Sequence, residues 1–333
     1  MILDAARRGL RRAAALWGLV LFLLVVNLLT AAVLAVPMAG TLRADVSNRA
    51  AADNMLYGFD YPWWAAWADA HPDTTFTPDI LGVGFAFKNL DLLLRGHLPA
   101  GLFARRPAGD SDDGSTGLDG TVLALGAAYL LVQILLTGGV LAALRAPQPE
   151  WTVRGLFHGG GFYFGRLLRV AGLVLLVDGL LFALYHPFAR WADHQAREAI
   201  SERSAIAWLL GRHLLLLLAL LAVNMVSSYA KVLIVLEERA SALLALLSAA
   251  ALCLRRFSTT FGHVLLMALV ATAGLAVWGV LDRHWETTGY KTQMVTFVLL
   301  EGFVFLRLLL RVATLGGQVT LARRLGGGPG EAP

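Results

Sequence analysis

The sequence predicts an all-α fold: a polytopic transmembrane helix bundle of six spans with interfacial amphipathic helices. Three observations carry this. Six apolar stretches cover residues 13–36, 122–144, 167–185, 214–236, 264–281 and 294–315, and a spanning helix needs roughly 20 mostly apolar residues. The 333 residues are 57% hydrophobic and only 15% charged, where an average soluble domain is about 25% charged. Basic residues also alternate from one flank of the apolar runs to the next, as they do in cytoplasmic loops.

Residues 1–36 read as a cytoplasmic N-terminus and span 1, because Arg7, Arg8, Arg11 and Arg12 precede the apolar run. A basic segment before an apolar run is also the mark of a cleaved signal peptide, but such cores are usually about 7–15 residues long. A retained anchor fits this longer run better, and Val33-Leu34-Ala35 keeps cleavage as the alternative.

Residues 37–120 form an extracytoplasmic loop with interfacial helices. Up to Asp119 this stretch holds eleven acids against six bases, so the positive balance of the chain lies elsewhere, at the flanks of the spans. Those bases read as orientation signals rather than a nucleic-acid surface. The run Tyr57-Gly-Phe-Asp-Tyr61-Pro62-Trp63-Trp64-Ala-Ala-Trp67 begins a short helix at Pro62, with rings suited to the headgroup level of a membrane. Residues 78–96 give a second, broad apolar face. The loop reads as a cap on the outer membrane surface or as a lid over a cavity that admits lipid, and the cap is the commoner arrangement. Asp110, Asp112 and Asp113 lack the closing Glu of a twelve-residue calcium loop.

Residues 121–318 make a five-span bundle. Arg145, Arg154, Arg166 and Arg169 after span 2, and Lys231, Arg239, Arg255 and Arg256 after span 4, place those connections inside. The segment 186–204 and the turn 282–293 then face outside, and the tail 319–333 returns inside as a flexible end. Residues 240–254 are apolar but too few to span, so they lie along the cytoplasmic interface or enter it shallowly. Spans 2–3 and 4–5 resemble two copies of one unit running in the same direction, through Phe157 to Phe164-Gly165 and Phe257 to Phe261-Gly262. Gly159-Gly160-Gly161 reads as a hinge.

Asn27, Gln133, Asp178, Asn224 and Glu301 fall near the middle of their spans, where an ionised acid costs about 2.5–3.5 kcal/mol on insertion scales. Asp178 and Glu301 must therefore turn inward. Lys231 of span 4 and Arg307 and Arg311 of span 6 are the candidate partners, the two arginines share a face of their helix, and a bridge from either acid to Lys231 is geometrically easier than one within a helix. Two readings compete: interhelical glue, or a proton-, ion- or substrate-binding site of a transporter or permease. Spans interrupted by proline, as many transport sites have, are missing from the apolar runs.

No metalloprotease, serine-hydrolase or phosphate-loop motif is present, so the chain reads as not an enzyme, without cofactor or metal. His186 and His194, eight residues apart across Pro187, give only a weak metal spacing. The one cysteine, Cys253, excludes an intramolecular disulfide.

The run from Ser228-Tyr-Ala-Lys231 through Glu237-Glu238-Arg239 to Leu254-Arg-Arg-Phe257 is similar to a recurring segment of uncharacterised bacterial six-span integral membrane proteins. It also resembles the membrane domain of some glycerophosphodiester phosphodiesterases. Leu136-Thr-Gly-Gly-Val140 and Phe162-Tyr-Phe-Gly-Arg-Leu-Leu-Arg169 are further landmarks, and the likeness covers most of residues 120–315. Relatives often carry Asp where Ser228 stands, so no role passes to that position, and no catalytic barrel is present here. The resemblance implies a multi-pass inner (cytoplasmic) membrane protein and no activity. The expectation is a non-enzymatic membrane scaffold or lipid-interacting protein, with membrane lipids as partners, a protein partner or homo-oligomer left open, and no nucleic acid. The alternative is a transporter or permease.

Overall fold

The computed structural model describes residues 1–46, 60–70, 120–146, 148–284 and 290–325. Every regular element among them is an α-helix: α1 (Ile2–Ala15), α2 (Trp17–Val46), α3 (Tyr61–Ala70), α4 (Gly120–Arg145), α5 (Val153–Glu198), α6 (Glu202–Leu236), α7 (Ala242–Arg255), α8 (Phe257–His284) and α9 (Tyr290–Leu325). Tyr57, residues 78–96 and Asp110 to Asp113 lie outside the described residues.

Four stretches are long and apolar enough to cross a membrane: Gly126–Arg145, Val153–Glu198, Glu202–Leu236 and Phe257–Leu281. A fifth arises if α1 and α2 count as one span, bent by 73° at the break between them. Large apolar side chains stay exposed along these helices, with Leu176 at 70% and Leu217 and Val277 each at 61%. Water does not tolerate so much continuous apolar surface, whereas hydrocarbon does, and these are the helices of a multi-pass membrane protein. The sixth apolar run lies in α9, where Glu301, Arg307 and Arg311 interrupt it.

The first run also divides differently from the expectation. The apolar stretch begins at residue 13, yet the helix breaks at Leu16, whose backbone leaves the helical region at φ −96 and ψ 26. Upstream, α1 buries Ala5, Gly9 and Ala13 at four-residue spacing and exposes Arg7, Arg8 and Arg11. Downstream, α2 is apolar from Trp17 to Val26, and Asn27 is its first strongly polar side chain.

The helices contribute to two compact units. The first comprises Met1–Trp63, Leu131–Ala171 and Met225–Pro333. Its core joins Leu16 and Leu19 to Leu141, Leu144, Tyr229 and Leu321, and glycine sets its closest approaches. A Cβ on Gly9 would lie 2.2 Å from the Ala313 carbonyl, so α1 and α9 touch backbone to backbone. A Cβ on Gly139 would lie 2.3 Å from the Leu156 carbonyl, and one on Gly160 2.6 Å from that of Leu135. Small residues of this kind let membrane helices pack without a hydrophobic drive. Gly159 and Gly160 are therefore packing positions inside α5, not a hinge. In α7, Ser241 caps the first turn by accepting from the Leu244 N–H, Ala242, Ala245, Ala249 and Cys253 face inward, and Leu243, Leu244 and Leu247 stay exposed.

The second unit comprises Trp64–Leu130 and Gly172–Asn224. Tyr185, Ala189 and Leu216 form its buried centre, backed by Leu181, Phe182, Phe188 and Leu220. Residues 186–198, expected to form an outer connection, continue α5 through Pro187, although proline removes one helical hydrogen bond. The helix is held there by side chains: Arg212, only 5% exposed, pairs with Asp193 at 2.5 Å and donates to the Ala189 carbonyl at 3.3 Å. Trp191 and Trp208 meet edge to face with ring centroids 5.1 Å apart.

Candidate functional site

The mid-span polar residues converge only in part. In the first unit, Gln133 of α4 donates from Nε2 to Asn27 Oδ1 of α2 at 3.3 Å. Arg311 of α9 donates from Nη1 to Gln133 Oε1 at 3.1 Å. The chemistry orders this string. A guanidinium offers donors only, so it claims the Gln133 carbonyl oxygen and leaves the amide nitrogen to donate to Asn27. Local bonds support the chain: Thr137 donates to the Gln133 carbonyl at 2.6 Å, and Thr30 to that of Asn27 at 2.9 Å.

Leu23, Leu136, Val140, Leu308, Val312 and Leu315 line a partly open cleft of about 20 Å³ beside the string, whose Arg311 end is exposed. A cavity needs roughly 10–15 Å³ to seat one water. The string is a polar contact between helices with space beside it for about one water and no solute-sized cavity.

Lys231 of α6 is half-buried and within electrostatic reach of Arg311. Two cations sharing this region repel, which makes a nearby carboxylate the natural complement, yet no ion pair joins Glu301 to Lys231 among the described residues. Glu301 is half-buried, Arg307 is exposed, and Glu301 stands about 15 Å along α9 from Arg311. In the second unit, Asp178 is half-buried and has no ion-pair partner among the described residues, and Asn224 is exposed. Asp60 Oδ1 accepts from the Trp63 N–H at 3.1 Å and so caps α3, in which Trp63 is half-buried and Trp67 buried. The side chains of Tyr61 and Trp64 lie outside the described ones.

A second cluster gathers where α4 ends. Arg12 donates to the Leu144 carbonyl at 3.3 Å and Arg323 to that of Arg145, so arginines from both ends of the chain satisfy the last carbonyls of one helix and complement its dipole. Arg145 itself binds Glu238 Oε1 at 2.5 Å and the Tyr163 hydroxyl at 3.1 Å. Arg166 donates to the Glu238 carbonyl at 3.0 Å and lies 5.0 Å from the centroid of the Phe162 ring. The bonded Arg145 guanidinium holds the Glu238 carboxyl below the usual carboxylate range. Beside these residues a groove of about 510 Å³ opens between α4 and α5, lined by Ala142, Arg145, His158, Gly159, Phe162 and Tyr163. The arginines are legible in the sequence as orientation signals; their convergence is not, because it depends on how the helices rotate about their axes.

His263 is fully buried beneath α1. Its Nε2 lies 3.4 Å from the Thr314 carbonyl, while its Nδ1, like Gln318 Oε1 and the Tyr229 hydroxyl, has no hydrogen-bond partner among the described residues. Of the two histidines considered for a metal, His194 pairs with Glu198 at 3.2 Å, and no group of three or more His, Cys, Asp or Glu fit to hold a metal occurs among the described residues. No protein-family model, curated protein or solved structure matches this chain.

Proposed function

We propose that the chain is a non-enzymatic, lipid-interacting scaffold of the bacterial inner membrane. It crosses six times, counting α2 and α9 with the four stretches named above, and both ends are cytoplasmic. In this reading α1 and α7 lie along the inner interface and the loop 37–120 caps the outer face. The reading rests first on the Asn27–Gln133–Arg311 string, which joins α2, α4 and α9 beside a cleft with space for about one water rather than a solute-sized cavity. Interhelical hydrogen bonds of this kind are worth about 0.6–2 kcal/mol in membranes. The exposed leucine surface of α5, α6 and α8 supports lipid as the surrounding phase.

A transporter is the second reading, and Asp178 favours it: an acid within an apolar helix, with no ion-pair partner among the described residues, is what a proton or cation site needs. Reconstitution separates the two. Full-length protein in sealed liposomes is given a pH step, and internal pH is followed with a trapped dye for wild type, Asp178→Asn and Glu301→Gln. The scaffold reading expects the same slow leak from all three. A wild-type flux that either substitution abolishes in folded protein overturns it.

A further inference from the structure

We propose that the groove between α4 and α5 binds the phosphate of an anionic phospholipid, and that Glu238 occupies its cationic end until the lipid displaces it. The proposal deepens the lipid-interacting reading and rests on it. Glu238 carries the observation that starts the argument. Its backbone stands at φ 52, alone among the described non-glycine residues in the left-handed region. Helices commonly end on a left-handed residue, but glycine or asparagine is the usual occupant, and a strained glutamate there invites a functional explanation.

That backbone turn presents Glu238 to two arginines at once, its carboxylate to Arg145 and its carbonyl to Arg166. Both guanidiniums offer further donors in the planar fork that suits phosphate. The groove is amphiphilic: Arg145 lines it, and Arg166 lies over the rings of Phe162 and Tyr163 in its wall. Arg145 and exposed His158 stand with Tyr163 at its polar part, and Arg154 is exposed one turn before His158. Ala142, Gly159 and Phe162 line the rest. A soluble anion needs only the first part, whereas a phospholipid uses both, placing its headgroup against the cations and an acyl chain along the apolar wall. Charge complementarity therefore selects an anionic over a zwitterionic lipid, because a choline group would face like charge.

The test titrates full-length protein in dodecyl maltoside micelles with dioctanoyl phosphatidylglycerol, dioctanoyl phosphatidylcholine or inorganic phosphate, and counts bound lipid by native mass spectrometry. Wild type should bind one phosphatidylglycerol in preference to phosphatidylcholine. Glu238→Gln removes the competing charge and should tighten that binding about tenfold, the scale of one hydrogen bond to a charged group. His158→Ala, at an exposed position, should weaken it while the melting temperature stays unchanged. Equal binding of the two lipids, or no gain in Glu238→Gln, overturns the proposal. Inorganic phosphate competing as well as the lipid at equal concentration overturns the lipid as occupant. Flotation with neutral liposomes keeps the two levels apart: protein that floats but shows no anionic preference sinks this inference alone, and protein that fails to float sinks the membrane reading with it.

Discussion

Arg324, in the last turn of α9, donates to the Asp4 carboxylate, in the first turn of α1, across 2.8 Å. The contact ties the opening helix of the chain to its closing one, beside the glycine seam where Gly9 meets Ala313 and Gly317. Arg8 reaches the same carboxylate from within α1 at 3.2 Å. Both described ends of the chain therefore meet at one place, and Arg12 and Arg323 fasten that place to the end of α4.

This latch should depend on pH with a definite sign. Partial desolvation pushes the Asp4 carboxyl up, but the bonds from Arg8 and Arg324 outweigh it, and the net value falls below the ordinary 3.8. A group whose value is depressed by folding contributes stability above its unfolded value and loses it as pH falls through the folded one. Asp4→Asn should therefore melt below wild type at pH 7, with the gap closing as pH drops beneath 3.8. Thermal melts of both proteins in the same detergent at several pH values measure this. A gap that persists unchanged in acid means that the pair does not titrate as described.

The glycine seam makes a sharper demand. A Cβ at Gly9 would meet the Ala313 oxygen at 2.2 Å and the Gly317 nitrogen at 2.7 Å, both backbone atoms that cannot rotate away. Gly9→Val should cost about 1–3 kcal/mol or more, the range for overpacking, and should expose α1 to protease. Gly161, in α5 with nothing within 4 Å of its would-be Cβ, is the control. Gly161→Ala should be neutral or stabilising by up to about 1 kcal/mol, since alanine is the better helix former. Similar losses from both substitutions would mean that the close approach is not what matters at Gly9.

These contacts mark where sequence reading ended. Hydropathy located the long helices and singled out residues 240–254 as too short to span, because transfer free energy sums along a chain without reference to neighbours. It also identified Asn27 and Gln133 as polar groups at similar depth. It did not find that Arg311 completes their string, because the angular position of one helix against another is set by packing. The break at Leu16 was hidden by a seamless apolar run, and α1 docks through Gly9, a residue with almost no hydropathy signal. The continuation of α5 past Tyr185 was hidden for the opposite reason. Pro187 and the charged run that follows read as a connection, while Asp193 and Arg212 supply the ion pair that keeps the segment helical.

The polar string can be dissected by what each atom donates. Gln133→Leu removes the bond from Arg311 and the bond to Asn27 together and should destabilise by about 0.6–2 kcal/mol. Gln133→Glu still accepts from Arg311 but cannot donate to Asn27, so it should fall between wild type and the leucine variant. Chemical unfolding in mixed micelles ranks the three. A leucine variant as stable as wild type would remove the string from the forces holding α2, α4 and α9 together.

In the second unit, Asp193→Ala leaves Arg212 buried without its carboxylate. Removing one partner of a fully buried pair costs about 3–5 kcal/mol, and the loss here should be smaller because the Asp193 side chain is 33% exposed. Arg212→Met, which keeps the apolar stem and removes the charge, should be milder than Asp193→Ala. The reverse order would show that the bond from Arg212 to the Ala189 carbonyl, rather than the ion pair, stabilises the helix beyond Pro187.

Cys253 makes the six-span topology testable in the native background. Its thiol is 1% exposed, and burial pushes its pKa up to about 11. A membrane-impermeant maleimide reacts with the thiolate, so the native protein should stay unlabelled at pH 7 in intact cells and in inverted vesicles alike. Cysteines introduced at exposed positions then report sidedness one at a time. Arg8→Cys should label only in inverted vesicles, and Arg190→Cys, five residues past the buried Tyr185, only in intact cells. If Arg190→Cys labels from the same side as Arg8→Cys, the number of crossings between them is even rather than odd, and the six-span arrangement fails; if Arg8→Cys labels in intact cells, the arginine cluster tied to α1 through Arg12 is not at the inner surface.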